Sequence, residues 1–139
     1  MNFLARLKRS EDGLATVEMA IVLPVFLLIL FGIMEGGLLL FTQHQMDRAS
    51  REAARYCSLF TTQQTNCTTA NTTTIIDQNL TSTFLTSKVI SPPSFVADSP
   101  TPGVTTVNIT ISGTFAPLTS LVLSAGVPLS VTSSVVADW

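Results

Sequence analysis

Residues 13–41 read GLATVEMAIVLPVFLLILFGIMEGGLLLF, and this apolar stretch decides how the rest of the chain is organised. It contains no charged residue between Met19 and Met34. As an α-helix, the segment from Leu14 to Phe41 would rise about 42 Å, whereas the hydrocarbon core of a bilayer is roughly 30 Å thick. The segment is therefore long enough and apolar enough to cross a membrane once.

The flanks of this segment distinguish a cleaved secretory signal from a retained membrane helix. Three basic residues within 6–9 precede it, as in a secretory signal. The residues that follow Met34, EGGLLLFTQHQMD, contain no small-residue cleavage site, so we expect the segment to be retained. Three arginines within 48–55 balance the basic residues on the first side, so the positive-inside rule does not determine the orientation.

A helix is predicted to continue beyond the apolar segment. Apolar side chains recur there at three- and four-residue spacing, which places them on one helix face, and they are Met46, Ala49, Ala53, Tyr56 and Phe60. The stretch TTANTTT, residues 68–74, is predicted to be a loop because Thr and Asn are poor helix formers. Ile76, Leu80 and Phe84 then recur every four residues, which predicts a short second helix.

The C-terminal part of the chain predicts a small antiparallel sheet. Beyond residue 58, Ser and Thr are abundant, and the charged residues are Asp77, Lys88, Asp98 and Asp138. Alternation of apolar and polar residues predicts strands at 107–112 and 129–135, and proline-rich punctuation allows short strands near Val89 and Phe95. A long N-terminal helix packed on such a sheet is an α+β architecture.

The two cysteines, Cys57 and Cys67, lie close together in the sequence. Their spacing suits a small disulfide-closed loop in an oxidising compartment, because the pair is even in number and is not a C-x-x-C motif. Two free buried thiols in a cytosolic domain are the alternative. A disulfide favours export of the C-terminal domain.

Composition excludes several classes of function. The chain has 139 residues, enough for one domain, with 12% charged residues, a net charge of -2 and a pI near 5.1, so it offers no basic face for nucleic acid. His44 is the sole histidine, no cluster has zinc-ligand spacing, and no glycine-rich loop suits a phosphate. We expect no enzymatic activity, no metal or other cofactor, no nucleic-acid partner and no small-molecule substrate.

Two carboxylates flank the charge-free core of the apolar stretch. Glu18 and Glu35 would lie about 26 Å apart along a helix, so they could bracket the hydrocarbon core. A carboxylate inside a membrane is costly and usually has a functional reason or a partner. For Glu35 we expect an ordinary position at the interface, whereas Glu18 has a second interpretation.

The residues around Glu18 carry a family resemblance. Gly13 is followed by four residues and then Glu18, with a basic leader before the glycine, and this resembles the site at which a membrane peptidase cuts type IV prepilins. With Pro24, the FGIMEGG run and the REAARY helix, the region resembles the TadE-like family. These are minor pilins or pseudopilins of the Tad (Flp) pilus, a type IV-related adhesion system. The resemblance covers about residues 10–60, and the tail is similar only in its short strands.

The resemblance implies roles for three residues. Gly13 would end the leader, Leu14 would become the new N-terminus, and Glu18 would be the fifth residue of the mature chain. The α-amino group of Leu14 would pair with Glu18 of a neighbouring subunit and set the axial stagger, because a buried charge without its partner is strongly destabilising. Many type IV pilins begin with a methylated Phe, whereas this chain would begin with Leu14.

These inferences divide the chain into four segments. We expect a leader at 1–13, a transmembrane and assembly helix at 14–41, an exported continuation of that helix at 42–60, and an exported Ser/Thr-rich α+β domain at 61–139. The resemblance implies a bacterial inner-membrane protein with a cytoplasmic N-terminus, which is incorporated into a pilus. It also implies four partners: other pilins, the assembly platform, the prepilin peptidase and membrane lipid.

Two alternatives to a minor pilin remain. The main one is a permanently anchored single-pass protein whose exported domain is a binding module. A major pilin is the other, although major Tad pilins resemble short peptides with little beyond the helix, unlike a chain with a tail at 58–139.

Overall fold

A computed structural model describes residues 12–59, 67–81, 83–97, 104–119, 123 and 125–138. Within these residues the chain forms two helices followed by four strands. They are α1 (Asp12–Leu59), α2 (Thr69–Asn79), β1 (Leu85–Ile90), β2 (Ser94–Ala97), β3 (Val104–Phe115) and β4 (Val127–Asp138). The predicted α+β architecture, with a long apolar N-terminal helix and a small antiparallel sheet, is confirmed.

Helix α1 has a bare half and a covered half. Every residue from Gly13 to Leu30 is exposed, and burial begins near Phe31. Helix α1 contains the one stretch among the described residues that is long and apolar enough to cross a membrane. Of the predicted leader, only Asp12 and Gly13 lie within the described residues, and both belong to α1.

The covered half of α1 packs on the sheet through the predicted apolar stripe. Met46, Ala49 and Ala53 are fully buried, and Tyr56 packs half-buried against the same core. Phe60, the last member of that stripe, lies outside the described residues. Alanine at two of these positions lets the helix approach the strands closely.

Helix α2 begins earlier than the sequence predicts. The stretch 68–74 is helical from Thr69 onward, so the predicted loop is wrong there. Thr68 caps the helix, since its side chain accepts a hydrogen bond from the Asn71 N–H, and burial of Ile76 against the core outweighs the poor helix propensity of Thr. The predicted helical repeat ends at Leu80, the C-cap, and Phe84 lies beyond the helix.

The sheet is built around β3. Strand β4 pairs antiparallel with it over its whole length, from Val104 opposite Asp138 to Phe115 opposite Val127. Strands β1 and β2 follow one another along the other edge of β3. Pro92 and Pro93 separate them, since proline has no N–H to donate to a ladder. The strands predicted at 107–112 and 129–135, and the short strands near Val89 and Phe95, are therefore confirmed.

One face of the sheet is apolar and lies under the helices, and the other is polar. On β3 the buried residues are Val107, Ile109, Ile111 and Phe115, which alternate along the strand. On the opposite face, hydroxyl side chains line up across the strands, and the Thr110 and Thr132 hydroxyls lie 2.9 Å apart. The period-two pattern of the sequence accounts for both faces.

A bulge in β1 shifts the pairing register between β1 and β3. The register changes between Thr86 and Val89, and Ser87 has a φ of 52°. Gly113 lies opposite, where a Cβ would be only 2.8 Å from Leu85 Cδ1, so a larger residue there would require the Leu85 side chain to move. The adjacent Lys88 forms an ion pair with Asp77 of α2.

Candidate functional site

The predicted processing residues lie at the start of the bare half of α1. Gly13 and Leu14 are already helical and exposed, and Leu14 is 68% exposed. Leu14 and Glu18 are four residues apart, so they share one face of the helix. The structure thus places the backbone nitrogen that cleavage would free within one turn of the predicted pairing carboxylate.

Glu18 is an exposed carboxylate surrounded by apolar side chains. Its neighbours on the exposed helix include Val17, Met19 and Ile21, which are between 57% and 68% exposed. Among the described residues, Glu18 has no hydrogen-bond or ion-pair partner. A cation for Glu18 therefore has to come from outside the described part of this chain.

The predicted disulfide is present at the far end of α1. The Cys57 and Cys67 sulfurs are 2.00 Å apart, and the two Cα atoms are 5.0 Å apart. Both residues are buried in the core cluster with Ile76 and Leu80. The bond ties the end of α1 to the residues just before α2, so the two cysteines are not free thiols. Cys57 lies about 58 Å from Glu18 along the helix.

A buried carboxylate lies where the bare half of α1 meets the folded domain. Glu35 is only 1% exposed. The Thr119 N–H donates to Glu35 Oε1 over 2.8 Å, and the Thr119 hydroxyl donates to the same oxygen. Glu35 Oε2 is buried and has no hydrogen-bond partner.

Sequence reasoning missed this contact. It assigned Glu35 to an ordinary position at the membrane interface, and no local pattern could pair it with Thr119, which is 84 residues away. The one available signal was the cost of a carboxylate next to an apolar run, which calls for a partner.

The sequence of α1 matches a known family model along most of the helix. Residues 13–55 match the TadE-like protein family model. The resemblance read from the sequence is thereby confirmed for this region, which begins at the predicted last leader residue and ends just before Cys57. Neither a curated protein nor a solved structure matches the chain.

The match shows what residues 13–55 are similar to, and it covers less than half of the chain. The matched region includes Gly13, Leu14, Glu18 and Glu35, whereas Thr119 and the sheet lie outside it. The Glu35–Thr119 contact therefore joins the TadE-like helix to the part of the chain that the family model does not cover.

A shallow groove runs between the TadE-like helix and β4. It encloses about 380 Å³, and its lining residues are Leu40, Gln43, His44, Asp47, Ser130 and Val131. Asp47 also forms an ion pair with Arg51, one turn further along the helix, with 2.9 Å between Asp47 Oδ2 and Arg51 Nη2. No group of three or more metal-ligating side chains occurs among the described residues.

Proposed function

We propose that this protein is a minor pilin, or pseudopilin, that takes part in assembling or priming a Tad-type adhesive pilus. In this proposal the chain is inserted through α1, cut after Gly13, and held beside other pilins by its N-terminal helix. The observation that carries the proposal is an apolar helix that projects bare from a folded domain, with Glu18 five residues after Gly13.

The bare half of α1 needs an apolar environment. From Leu14 to Leu30 its large apolar side chains are between 38% and 68% exposed. Burying apolar surface stabilises a protein by roughly 25 cal/mol per Å², so this surface forgoes a large stabilisation when it faces water. A bilayer before assembly, and neighbouring pilin helices after it, would both satisfy this surface.

The spacing from Gly13 to Glu18 supports a register role. Cleavage after Gly13 would leave a positive α-amino group on Leu14, in or next to lipid. Breaking a buried ion pair by removing one partner costs about 3–5 kcal/mol. A subunit docked out of register would carry that cost, so pairing with Glu18 of a neighbour favours one axial stagger.

The disulfide supports an exported domain. Disulfides persist in oxidising compartments such as the periplasm and are rare in the cytosol. The Cys57–Cys67 bond lies at the domain end of α1, so the opposite end, with Gly13, would face the cytoplasm. This orientation makes the protein a single-pass inner-membrane protein before assembly, with the prepilin peptidase, membrane lipid, other pilins and the assembly platform as partners.

The N-terminus of the membrane-extracted protein tests this proposal. The full chain is expressed with and without its prepilin peptidase, and intact mass and N-terminal sequencing are compared. We expect a peptidase-dependent start at Leu14. A start at Met1 in both samples would refute processing and favour the anchored binding module.

A matched pair of glycine variants sharpens this test. Gly13→Val adds bulk at the predicted cleavage site, whereas Gly36→Val adds the same bulk on the same helix, where a Cβ meets nothing within 4 Å. Processing should stop in the first variant and continue in the second. Equal processing of both variants would place the cleavage elsewhere.

A further inference from the structure

The connection between β3 and β4 returns to α1 at one defined height along the helix. Thr119 belongs to this connection, and its N–H and hydroxyl both donate to Glu35 Oε1. Because the two groups are in direct contact, the connection moves with Glu35. The depth of α1 in a bilayer therefore also sets the depth of Thr119 and its neighbours.

The length of the bare helix places Glu35 close to the membrane surface. The exposed stretch from Gly13 to Leu30 rises about 27 Å, against a hydrocarbon core of roughly 30 Å. From Glu35 onward the folded domain covers one face of α1, where Glu35 and Thr42 are buried, whereas Leu40 and Phe41 elsewhere on the helix stay exposed. The bilayer therefore cannot extend beyond Glu35 along the covered face. The hydrocarbon boundary and the end of the folded domain thus lie within about one helical turn of each other.

The chain beside Thr119 has the chemistry of a membrane contact. Leu118 is 54% exposed although it is a large apolar residue. The sequence contains no charged residue from Ser99 to Ala137, so no charge within this part of the chain opposes contact with lipid. At the same height on α1, Ile33 is 73% exposed, so apolar surface is present on both elements.

We infer that residues 116–119 form a second membrane contact, in which Leu118 enters the interfacial region of the leaflet that faces the folded domain. The buried Glu35–Thr119 hydrogen bonds hold the connection there. This inference rests on the proposed insertion of α1 in a bilayer. A second contact point orients the domain about the axis of α1 and has to be released when the subunit leaves the membrane.

Depth-dependent quenching tests the contact in the full chain. Trp139 is replaced by Phe to remove the native tryptophan, and Leu118→Trp is reconstituted in phosphatidylcholine vesicles that contain brominated lipid. Val136→Trp is the matched control, because Val136 is 60% exposed and lies near the opposite end of β4. We expect quenching of Leu118→Trp to be several-fold stronger than quenching of Val136→Trp, and equal quenching would overturn the inference.

Phe26→Trp separates this inference from the insertion of α1. Phe26 lies in the bare half of the helix and should be strongly quenched if α1 is inserted. Strong quenching of Phe26→Trp with none of Leu118→Trp would overturn the second contact alone, as expected if a neighbouring protein covers Leu118 instead. No quenching of Phe26→Trp would overturn insertion and the second contact together.

Glu35→Ala tests the role of the buried hydrogen bonds. Combined with Leu118→Trp, it should lower the quenching several-fold, because the connection is no longer held against α1. Glu35→Gln retains an acceptor oxygen and should keep most of the quenching. Unchanged quenching in Glu35→Ala would show that the hydrogen bonds do not hold the contact.

Discussion

Removing the Cys57–Cys67 disulfide should destabilise the domain by about 2.7 kcal/mol. The two cysteines are 10 residues apart, and in the chain-entropy model closing a loop of that length lowers the entropy of the unfolded chain by about 9 cal/mol/K. The bond anchors the start of α2, whose Ile76 belongs to the core. Its loss is therefore expected to loosen α2 before the sheet.

The measurement is urea unfolding of the full chain in detergent micelles, comparing the wild type with Cys57→Ala/Cys67→Ala. For a folded unit of about 100 residues, this loss of stability corresponds to a Tm decrease of about 13 °C in a thermal scan. The wild type in reductant should behave like the double variant. Ser58→Ala is the matched control at the next position, and it should change stability by no more than about 0.5 kcal/mol.

A loss below about 1 kcal/mol in the double variant would refute this reasoning, because it would mean that packing alone holds α2 in place. A loss near the calculated value, recovered on reoxidation of the wild type, would support the role of the disulfide in anchoring α2.

Three further predictions concern α1 and the core. Glu18→Ala should leave membrane insertion intact but reduce incorporation into pili. Glu52→Ala, an exposed residue in the half of α1 that packs on the sheet, should not reduce it. Counts of pili by electron microscopy check this, and normal piliation in Glu18→Ala would refute the register pair. Glu35→Ala should lower the free energy of unfolding by about 1–3 kcal/mol, since it leaves the Thr119 donors without a partner, and urea unfolding that shows no loss would contradict it. Ile109→Ala should cost about 2–5 kcal/mol through a cavity in the middle of β3, and a smaller loss would mean that the core relaxes around it.

Local pattern predicted most of the elements because their signals are short-range. The charge-free run predicts the first half of α1, and three- and four-residue spacing predicts its continuation through Met46 and Ala53. Alternation along Val107–Ile111 predicts β3 and the face that it buries. These patterns depend on neighbours within a turn or a pleat, which a single sequence displays directly.

The start of α2 was not predictable from local propensity. Thr and Asn disfavour a helix, and the deciding contributions are a cap at Thr68, a covalent link at Cys67 and burial of Ile76 in a distant core. Two of these contributions depend on where α1 lies. The tertiary environment therefore overrode the local preference of 68–74.

The sequence by itself determined the membrane-length helix, the TadE-like pattern from Gly13 to Glu18, and the two main strands. It also predicted the disulfide between the two cysteines. Each of these features is encoded in residues close together in the chain. Only the tertiary structure decided that Glu35 is buried, that Thr119 is its partner, and that β1 and β2 share one edge of β3. Those contacts join residues far apart in sequence, and they form only when the sheet closes against the helix.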